Sequence, residues 1–403
     1  MRIFEIGTGY TSIPADKGAA TEIVVDNLSR SLINLGHDVT VVDIEDPNRL
    51  PTVLPILEVP MPKGFGVTDE ALGIKHKLKR VVYSLKLSGV LKGILREVPD
   101  GERAVLHFHN QYNAFFFFKT VSSRLRKKAV IAYTNHSGAW NGEWDEILPT
   151  ISKRYFQERY AQQHADAVFV LNEKTRFNLT KHLCIDDSKV SVISNGVDVN
   201  TYKPCSKKEA DTIAEDLFGD GSRYFFQCGS IYPNKGQLRT VKAMTPLMKE
   251  DSSLCFAYAG GIVDQGYADE VASYCSAEGL GSQVKYLGEI KPGPELARLY
   301  AGARGFTFPS EYEGFSIALL EALSSGIPVI HNECARIVSF ASAEEGLIGY
   351  QGEEGLMRRI QEVDSLDEDE WANLSQSARS LIVRNYSWDK VAGDYASVFE
   401  KMN

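Results

Sequence analysis

Long apolar runs are missing from this sequence: no stretch of about 18 apolar residues occurs, so no membrane-spanning helix is expected. Paired cysteines are missing too. Six cysteines fall at 184, 205, 228, 255, 275 and 334, with no CxxC spacing, which argues against zinc fingers and disulfide scaffolds and for free thiols in a reducing compartment. A surplus of basic charge is absent. Lys plus Arg number 44 against 53 Asp plus Glu, a net charge of −9, so attraction to nucleic acid, which rests on phosphate neutralisation, is not expected. A dinucleotide fingerprint is absent as well: Gly7-Thr8-Gly9 would need glycine at 12, where Ser12 stands. There is no repeat and no low-complexity tract. The first residues, Met1 to Ile6, enter a strand-like run that Glu5 interrupts, and no small-residue cleavage site follows, which points to a cytoplasmic protein.

What is present is an ordinary soluble composition, 43% hydrophobic and 24% charged, over 403 residues, more than one hydrophobic core normally serves. Short β-rich runs alternate with helical patterns. Arg2–Ile6, Val39–Val42, Ala104–Phe108, Ala129–Tyr133, Ala167–Leu171 and Val190–Ile193 read as strands, and Thr21–Leu35 has the apolar spacing of a helix. A second series follows residue 200: strands at Tyr224–Cys228, Ser253–Ala259, Val284–Leu287, Gly305–Phe308 and Pro328–Ile330, with helices at Leu238–Lys249, Ala268–Ala277, Pro294–Gly302 and Ile317–Ser324. Alternation of this kind predicts an α/β protein with two Rossmann-like domains, 1–200 and 201–385, each on a parallel sheet. Asp198–Asp211, with Pro204 and several charges, is the expected linker, and 214–222 reads as a loop. A last amphipathic helix covers about 386–403; periodicity does not assign it to either half.

The most informative stretch runs from Phe308 to Leu323. A strand ends at Phe308, a loop follows, and a helix begins near Phe315. Ligands of open α/β sheets bind outside the carboxyl ends of strands, and helix N-termini attract anions. Glu313 and Glu321 are separated by seven residues, slightly more than two helical turns apart, so both could face one ligand at different depths. Carboxylates accept hydrogen bonds from paired hydroxyls, which suits a sugar or ribose; the plainer alternative is a capping acid and a solvated helix residue.

The run Pro309-Ser310, Glu313-Gly314-Phe315, Glu321-Ala322-Leu323, Gly326 and Pro328-Val329 resembles the signature of the family 4 retaining glycosyltransferases (glycosyltransferase group 1), which have the GT-B fold. Asn195-Gly196-Val197-Asp198, the loop Gly229 to Gly236, and Gly36-His37-Asp38-Val39 resemble further family segments in the expected order. The resemblance implies two Rossmann-like domains whose sheets face a central cleft, an N-terminal acceptor-binding half and a C-terminal donor-binding half. It implies a nucleotide-diphospho-sugar as donor substrate, a glycan or lipid-linked acceptor, and no cofactor or bound metal. Glu321 resembles the ribose ligand, Glu313 the carboxylate facing the transferred sugar, and Lys235 the cation on the diphosphate. Gly229, Ser230, Asn234, Gly314, Phe315, Ser316, Gly18 and Ala19 fall in its donor-binding loops. His136 resembles the histidine near the donor sugar, and His109 and Asn110 lie on the acceptor side. One departure is evident: the family has Gly-Arg where this chain has Gly229-Ser230, which removes a charge from the diphosphate site; Arg239 could partly replace it.

Other features keep two readings. His107 and His109 point the same way on a strand, and a metal pair would need a third ligand that is not seen nearby. Trp140 and Trp144 stack on an acceptor sugar or anchor a loop. Residues 74–97 carry Lys75, Lys77, Lys79, Arg80, Lys86, Lys92 and Arg96, with an apolar stripe of Ile74, Leu78, Val81, Val82 and Leu85. They form either a helix resting on the cytoplasmic face of a membrane or an ordinary surface helix. Phe115–Phe118 reads as a buried helix start. Activities other than transfer on the same framework are nucleotide-sugar epimerisation and non-catalytic nucleotide-sugar binding.

Overall fold

The computed structural model describes residues 1–14, 20–65, 67, 74–311, 313, 315–333 and 340–402, without the side chains of 74–76. The chain divides into two compact units: residues 1–195 with 388–403, and 196–387.

The first unit is built on a seven-stranded parallel sheet. Its strands are β1 (Arg2–Ile6), β2 (Asp38–Ile44), β3 (Ile56–Val59), β4 (Ala104–Phe108), β5 (Ala129–Asn135), β6 (Ala167–Val170) and β7 (Val190–Val192), in the order β3-β2-β1-β4-β5-β6-β7. Every residue of β4 and β5 is buried, the signature of strands covered by helices on both faces. The second unit has six parallel strands: β8 (Arg223–Cys228), β9 (Leu254–Ala259), β10 (Val284–Tyr286), β11 (Gly305–Phe308), β12 (Val329–Asn332) and β13 (Leu347–Tyr350), ordered β10-β9-β8-β11-β12-β13. In both sheets the strand order reverses once, between β1 and β4 and between β8 and β11. Loops leaving neighbouring strands diverge there and open a crevice at the carboxyl edge.

The C-terminal helix Trp388–Met402 belongs to the first unit. Tyr395 and Phe399 are buried against Phe169, with ring centroids 4.5 and 5.6 Å away, and Arg103 Nη1 donates to the Met402 carbonyl at 2.7 Å. An amphipathic helix of one unit is thus supplied by the opposite end of the chain.

Three expectations need correction. The proposed linker is helical from Lys207, because Ser206 and Glu209 form a reciprocal capping box that starts helix Lys207–Phe218. That helix also takes in the first half of 214–222. In helix Ile74–Glu97 the packed face is formed by Tyr83, Leu87, Leu91 and Leu95, whereas Leu78 and Leu85 of the expected stripe are exposed. Lys79 is buried with its Nζ 3.3 Å from the Tyr10 carbonyl, and Arg80 stacks on Tyr10 and Tyr112. Phe115–Phe118 lies inside helix Gln111–Thr120, with Phe117 and Phe118 buried.

Phe399→Ala is expected to cost the first unit about 3–5 kcal/mol. Hydrogen exchange read by mass spectrometry should show the loss of protection in residues 1–195 and not in 196–387; uniform loss over both would mean the helix is not specific to the first unit.

Candidate functional site

In the second unit the site grows from the two loops at the strand reversal. After β8, the backbone turns at Gly229 and hydrogen bonds to the end of β9 and the loop that follows, with Gly229 N to Ala259 O and Ile231 N to Gly261 O both at 2.9 Å. Gly260 comes so close that a Cβ would sit 2.0 Å from the Gly229 oxygen, so no larger residue fits. The turn ends at Gly236, whose φ of 69° is left-handed, and helix Gln237–Glu250 begins. Gln227 holds this turn by donating to the Lys235 carbonyl at 2.7 Å.

The loop after β11 is fastened to this turn. Glu311 N donates to Asn234 O at 3.1 Å, and Arg239 binds both the Pro309 carbonyl and the Glu311 carboxylate. Lys235 Nζ forms an ion pair with Glu313, and both side chains are mostly buried. Arg239 is therefore committed to holding the loop, which removes it as a ready replacement for the missing diphosphate arginine. Phe315 packs on Phe340 at 5.7 Å, and Ser316 precedes helix Ile317–Ser324 without a side-chain cap. Because that helix starts only at Ile317, Glu313 lies in the loop before it and not two turns along one helix from Glu321.

Glu321 is buried, not solvated. Tyr300 Oη donates to it at 3.0 Å, yet burial pushes its carboxyl up to about 7 despite the hydroxyls of Tyr202 and Tyr300. Burial, with the nearby Glu321 charge, also pushes the Cys228 thiol up to about 12. Tyr300 and Tyr202 were not identified from the sequence; tyrosine in a core-forming segment gives no sign of which carboxylate it will meet.

In the first unit, Glu5 of β1 stands opposite His107 of β4 in the parallel register. His107 and His109 both face its carboxylate, at 3.0 and 2.7 Å, and His109 Nδ1 lies 2.9 Å from His136 Nε2. Burial raises the Glu5 carboxyl, but the charge and hydrogen bonds of the two histidines outweigh it and hold it down at about 2. Burial and the neighbouring His107 lower His109 to about 4 against the pull of Glu5, and burial drives His136 well below the usual imidazole range. Glu5 is the third member that the sequence did not reveal beside the histidine pair. The three side chains are close enough to hold a metal ion, while each facing atom already has a hydrogen-bond partner.

Two residues expected on the acceptor side have structural partners of their own. Asn110 caps helix Gln111–Thr120, accepting from Tyr112 N at 2.9 Å, and donates to Tyr10 Oη at 3.0 Å. Trp140 is completely buried and donates to Glu158 at 2.6 Å, so it anchors its loop and has no face for a sugar. Trp144 stacks on His182 at 4.5 Å. Gly18, Ala19 and Gly314 lie outside the described residues.

Two parallel sheets with these reversals are also found in solved structures. Sucrose-phosphate synthase from Thermosynechococcus elongatus matches with a TM-score of 0.74, 18% identity and coverage of 100% of this chain and 98% of that one. The catalytic domain of starch synthase IV from Arabidopsis thaliana, bound to ADP and acarbose, gives 0.75 at 15% identity and 99% coverage of each chain. The architecture is GT-B. Residues 21–201 match the family described as "Glycosyltransferase Family 4" and residues 209–380 that described as "Glycosyl transferases group 1". The chain belongs to the group 1, family 4 glycosyltransferases. Its curated relatives include a D-inositol 3-phosphate glycosyltransferase of Corynebacterium efficiens, 25% identical over 64% of this chain and 61% of the relative. The O-antigen chain mannosyltransferase B of Escherichia coli is 32% identical over 47% of this chain and 48% of its own, and spore coat protein SA of Bacillus subtilis is 23% identical over the whole of both. The matches to the first of these and to a second D-inositol 3-phosphate glycosyltransferase, from Corynebacterium glutamicum, span only 61 and 62% of those relatives' lengths.

The raised Glu321 carboxyl has a thermodynamic consequence. Its folded value of about 7 exceeds the ordinary 4.5, so ionisation penalises the folded state progressively as pH rises between the two. Glu321→Gln is expected to stabilise the fold by about 1–3 kcal/mol at pH 8 and by much less at pH 5. Urea melts at both pH values check this; a gain independent of pH would assign the cost to something other than the charge.

Proposed function

We propose that the chain is a retaining hexosyltransferase that moves a sugar from a nucleotide-diphospho-sugar to a hydroxyl of a glycan, lipid-linked or small-molecule acceptor, using no metal or cofactor. The observation that carries this reading is the Lys235–Glu313 pair, held over the glycine turn where the sheet order reverses. A diphosphate entering there takes the ammonium as its partner. Glu313 is then released to accept hydrogen bonds from the transferred sugar, while Glu321, short of donors, accepts from the ribose hydroxyls. The second unit is thereby the donor-binding half, and the first, with His109 and His136, the acceptor-side half.

The acceptor oxygen attacks the anomeric carbon on the face from which the diphosphate leaves, and its proton passes to the departing phosphate oxygen. Lys235 and the backbone N–H groups of the Gly229–Gly236 turn meet the charge that develops on the leaving group. No second carboxylate is left over for a covalent intermediate, since Glu321 is given to the ribose. The names of the mannosyl- and inositol-phosphate glycosyltransferase relatives support hexosyl transfer.

A non-catalytic nucleotide-sugar-binding role is the second reading, favoured by Ser230 in place of arginine and by the commitment of Arg239 to Glu311. Pure protein incubated with UDP-, GDP- and ADP-sugars separates the readings. The transferase should bind one nucleotide class and release nucleotide slowly without acceptor. Lys235→Ala should lower that release by about 10²–10³-fold, and Glu321→Ala should abolish binding. Binding with no release even in the presence of an acceptor mixture would favour the binding role; an altered sugar nucleotide formed without acceptor would mean epimerisation.

The proposal also places the protein at the cytoplasmic face of a membrane through residues 74–97, now narrowed to exposed Lys77, Leu78, Leu85 and Lys86. Co-sedimentation with phosphatidylserine vesicles should fall about tenfold or more when Leu78 and Leu85 become Ser; unchanged binding, or none in the parent protein, would remove this element.

A further inference from the structure

The second unit carries a cavity at the amino edge of its sheet, at the opposite ends of β8 and β11 from the loops Gly229–Gly236 and Pro309–Ser316. It measures about 630 Å³, the size of a small-molecule site. Arg223, the first residue of β8, and Arg304, just before β11, line it, together with one side of helix Lys207–Phe218 and the start of helix Glu368–Asn385. The apolar side chains that these helices present are small, Ala210, Ala214 and Ala372, and Trp371 is the single aromatic group among the described lining residues. Trp371 is fixed in place. Its Nε1 donates to the Arg304 carbonyl at 3.0 Å, and the Arg304 guanidinium lies 5.9 Å from its ring centroid.

The basic groups around this space are used unequally. Arg223 gives Nε and Nη2 to the two oxygens of Asp364, each at 2.6 Å, and Nη1 to Ser253 Oγ at 2.6 Å. Lys207 pairs with Glu368 at the surface. Arg304 meets no carboxylate oxygen. Its Nη2 donates to the Asp364 carbonyl at 3.1 Å and to the Leu366 carbonyl, which closes the end of helix Gly352–Ser365. Its Nε is buried without a partner, and its Nη1 makes no hydrogen bond among the described residues. Burial lowers this guanidinium below its usual range, and the charge of Asp364 does not fully offset it. The lining as a whole is nevertheless not basic. Asp211, Asp364, Glu368 and Asp369 outnumber Lys207, Arg223 and Arg304, and three of the four acids are exposed.

We propose that this cavity is a second ligand site, taking an uncharged planar ring that carries a carbonyl, with the ring against Trp371 among the alanines and the carbonyl oxygen accepting from Arg304. The small side chains leave room for a flat body, and the indole offers it a face. A donor without an acceptor inside a protein is costly, so a ligand that supplies the acceptor gains more than an ordinary exchange of hydrogen bonds with water. A carboxylate would make the same bond but face the exposed acids, and a cation would be set against two guanidinium groups. No residue of the Gly229–Gly236 turn borders this space, so the proposal stands apart from the donor reading.

Oxindole and indole are uncharged bicycles of the same shape that differ in one carbonyl, and indole-2-carboxylate adds a charge. Titrations of the full chain followed by ligand-observed NMR should show oxindole binding about tenfold or more tightly than either of the other two. Equal affinity for oxindole and indole, or tighter binding of the carboxylate, overturns the chemistry assigned to the site. No binding of oxindole at millimolar concentration overturns the site itself.

Two variants locate the probe. Ala210→Trp, at a half-buried helix position, should fill the cavity and abolish oxindole binding; retained binding would place the ring elsewhere and overturn the proposal. Arg304→Met removes the donors and should bring oxindole down to the affinity of indole, whereas a preserved tenfold preference would remove Arg304 from the site. Arg304 also closes a helix, and should that variant fail to fold, Ala210→Trp and the three probes still decide. Saturating UDP, GDP or ADP should leave oxindole binding unchanged; displacement by any of them would put the probe at the nucleotide and count against a second site.

Discussion

A carboxylate removed from water must find hydrogen-bond donors inside the protein, or lose its charge, and each unit of this protein answers that demand differently. Glu5 lies on a central strand, wholly buried, and meets two imidazole N–H groups from the neighbouring strand. Its charge is fully matched, and it anchors β1 to β4 at the point where the strand order reverses. Glu321 is equally enclosed but has phenolic hydroxyls as its neighbours, and its carboxyl rises to about 7. The first network is complete in the folded chain. In the proposed transferase the second becomes complete when a ligand brings two hydroxyls, so the same burial that strains the free protein would add to the affinity for a ribose. The two buried carboxylates thus differ in what surrounds them, not in how deep they lie.

The reversal points decide where this chemistry can occur. A parallel strand ends with its loop on the carboxyl edge, and only where neighbouring crossovers go opposite ways do two loops leave a space between them. In the second unit that space is bounded by Gly229–Gly236 and Pro309–Ser316, and their connections are specific: a backbone hydrogen bond at Glu311, the Arg239 clamp, and the Lys235–Glu313 pair. Gly236 permits the left-handed turn, and a side chain there would press on Pro309 and Arg239. Loop, turn and ion pair are one construction, so a change at Gly236 would move Lys235 as surely as a substitution of the lysine.

Much of this was legible in the sequence because parallel strands buried on both faces write continuous apolar runs. β4, β5, β8 and β11 follow their sequence spans closely. β3 and β13 escaped because each is only four residues long, too short for a strand period to show; two residues of β3 are exposed. The helix at Lys207 was missed although Ser206-Lys207-Lys208-Glu209 spells its capping box, since a run of charges and a proline drew attention to a linker instead. Glu313, Glu321 and Lys235 were singled out through their setting in a motif. Glu5 was noticed only as a break in an apolar run, yet a charge inside a buried strand is itself the signal that a partner network exists. Its partners lie more than a hundred positions away, and strand order, which pairs them, is not written locally. Trp140 failed for the opposite reason: an aromatic near glycines reads equally as an exposed platform or a buried anchor, and only the position of Glu158 separates the two.

The replacement of the family arginine by Ser230 alters the charge arrangement of the Gly229–Gly236 loop in a definite way. Within Gly229–Gly236, Lys235 is the one cationic residue. In the free protein it is neutralised by Glu313, and Arg239 by Glu311, so the two loops meet with charges matched. On the proposed reading a diphosphate must break the first pair to reach the ammonium, and that exchange weakens ground-state binding. As the glycosyl bond breaks, further negative charge accumulates on the leaving oxygen, and the same ammonium attracts it more strongly. An interaction that is offset in the ground state and grows toward the transition state lowers the barrier, whereas one that is equally strong in both does not. On that reading a site with one ion-paired cation in place of two cations loses donor affinity first and keeps a larger share of its catalytic effect, provided that Lys235 can leave Glu313 when the donor arrives.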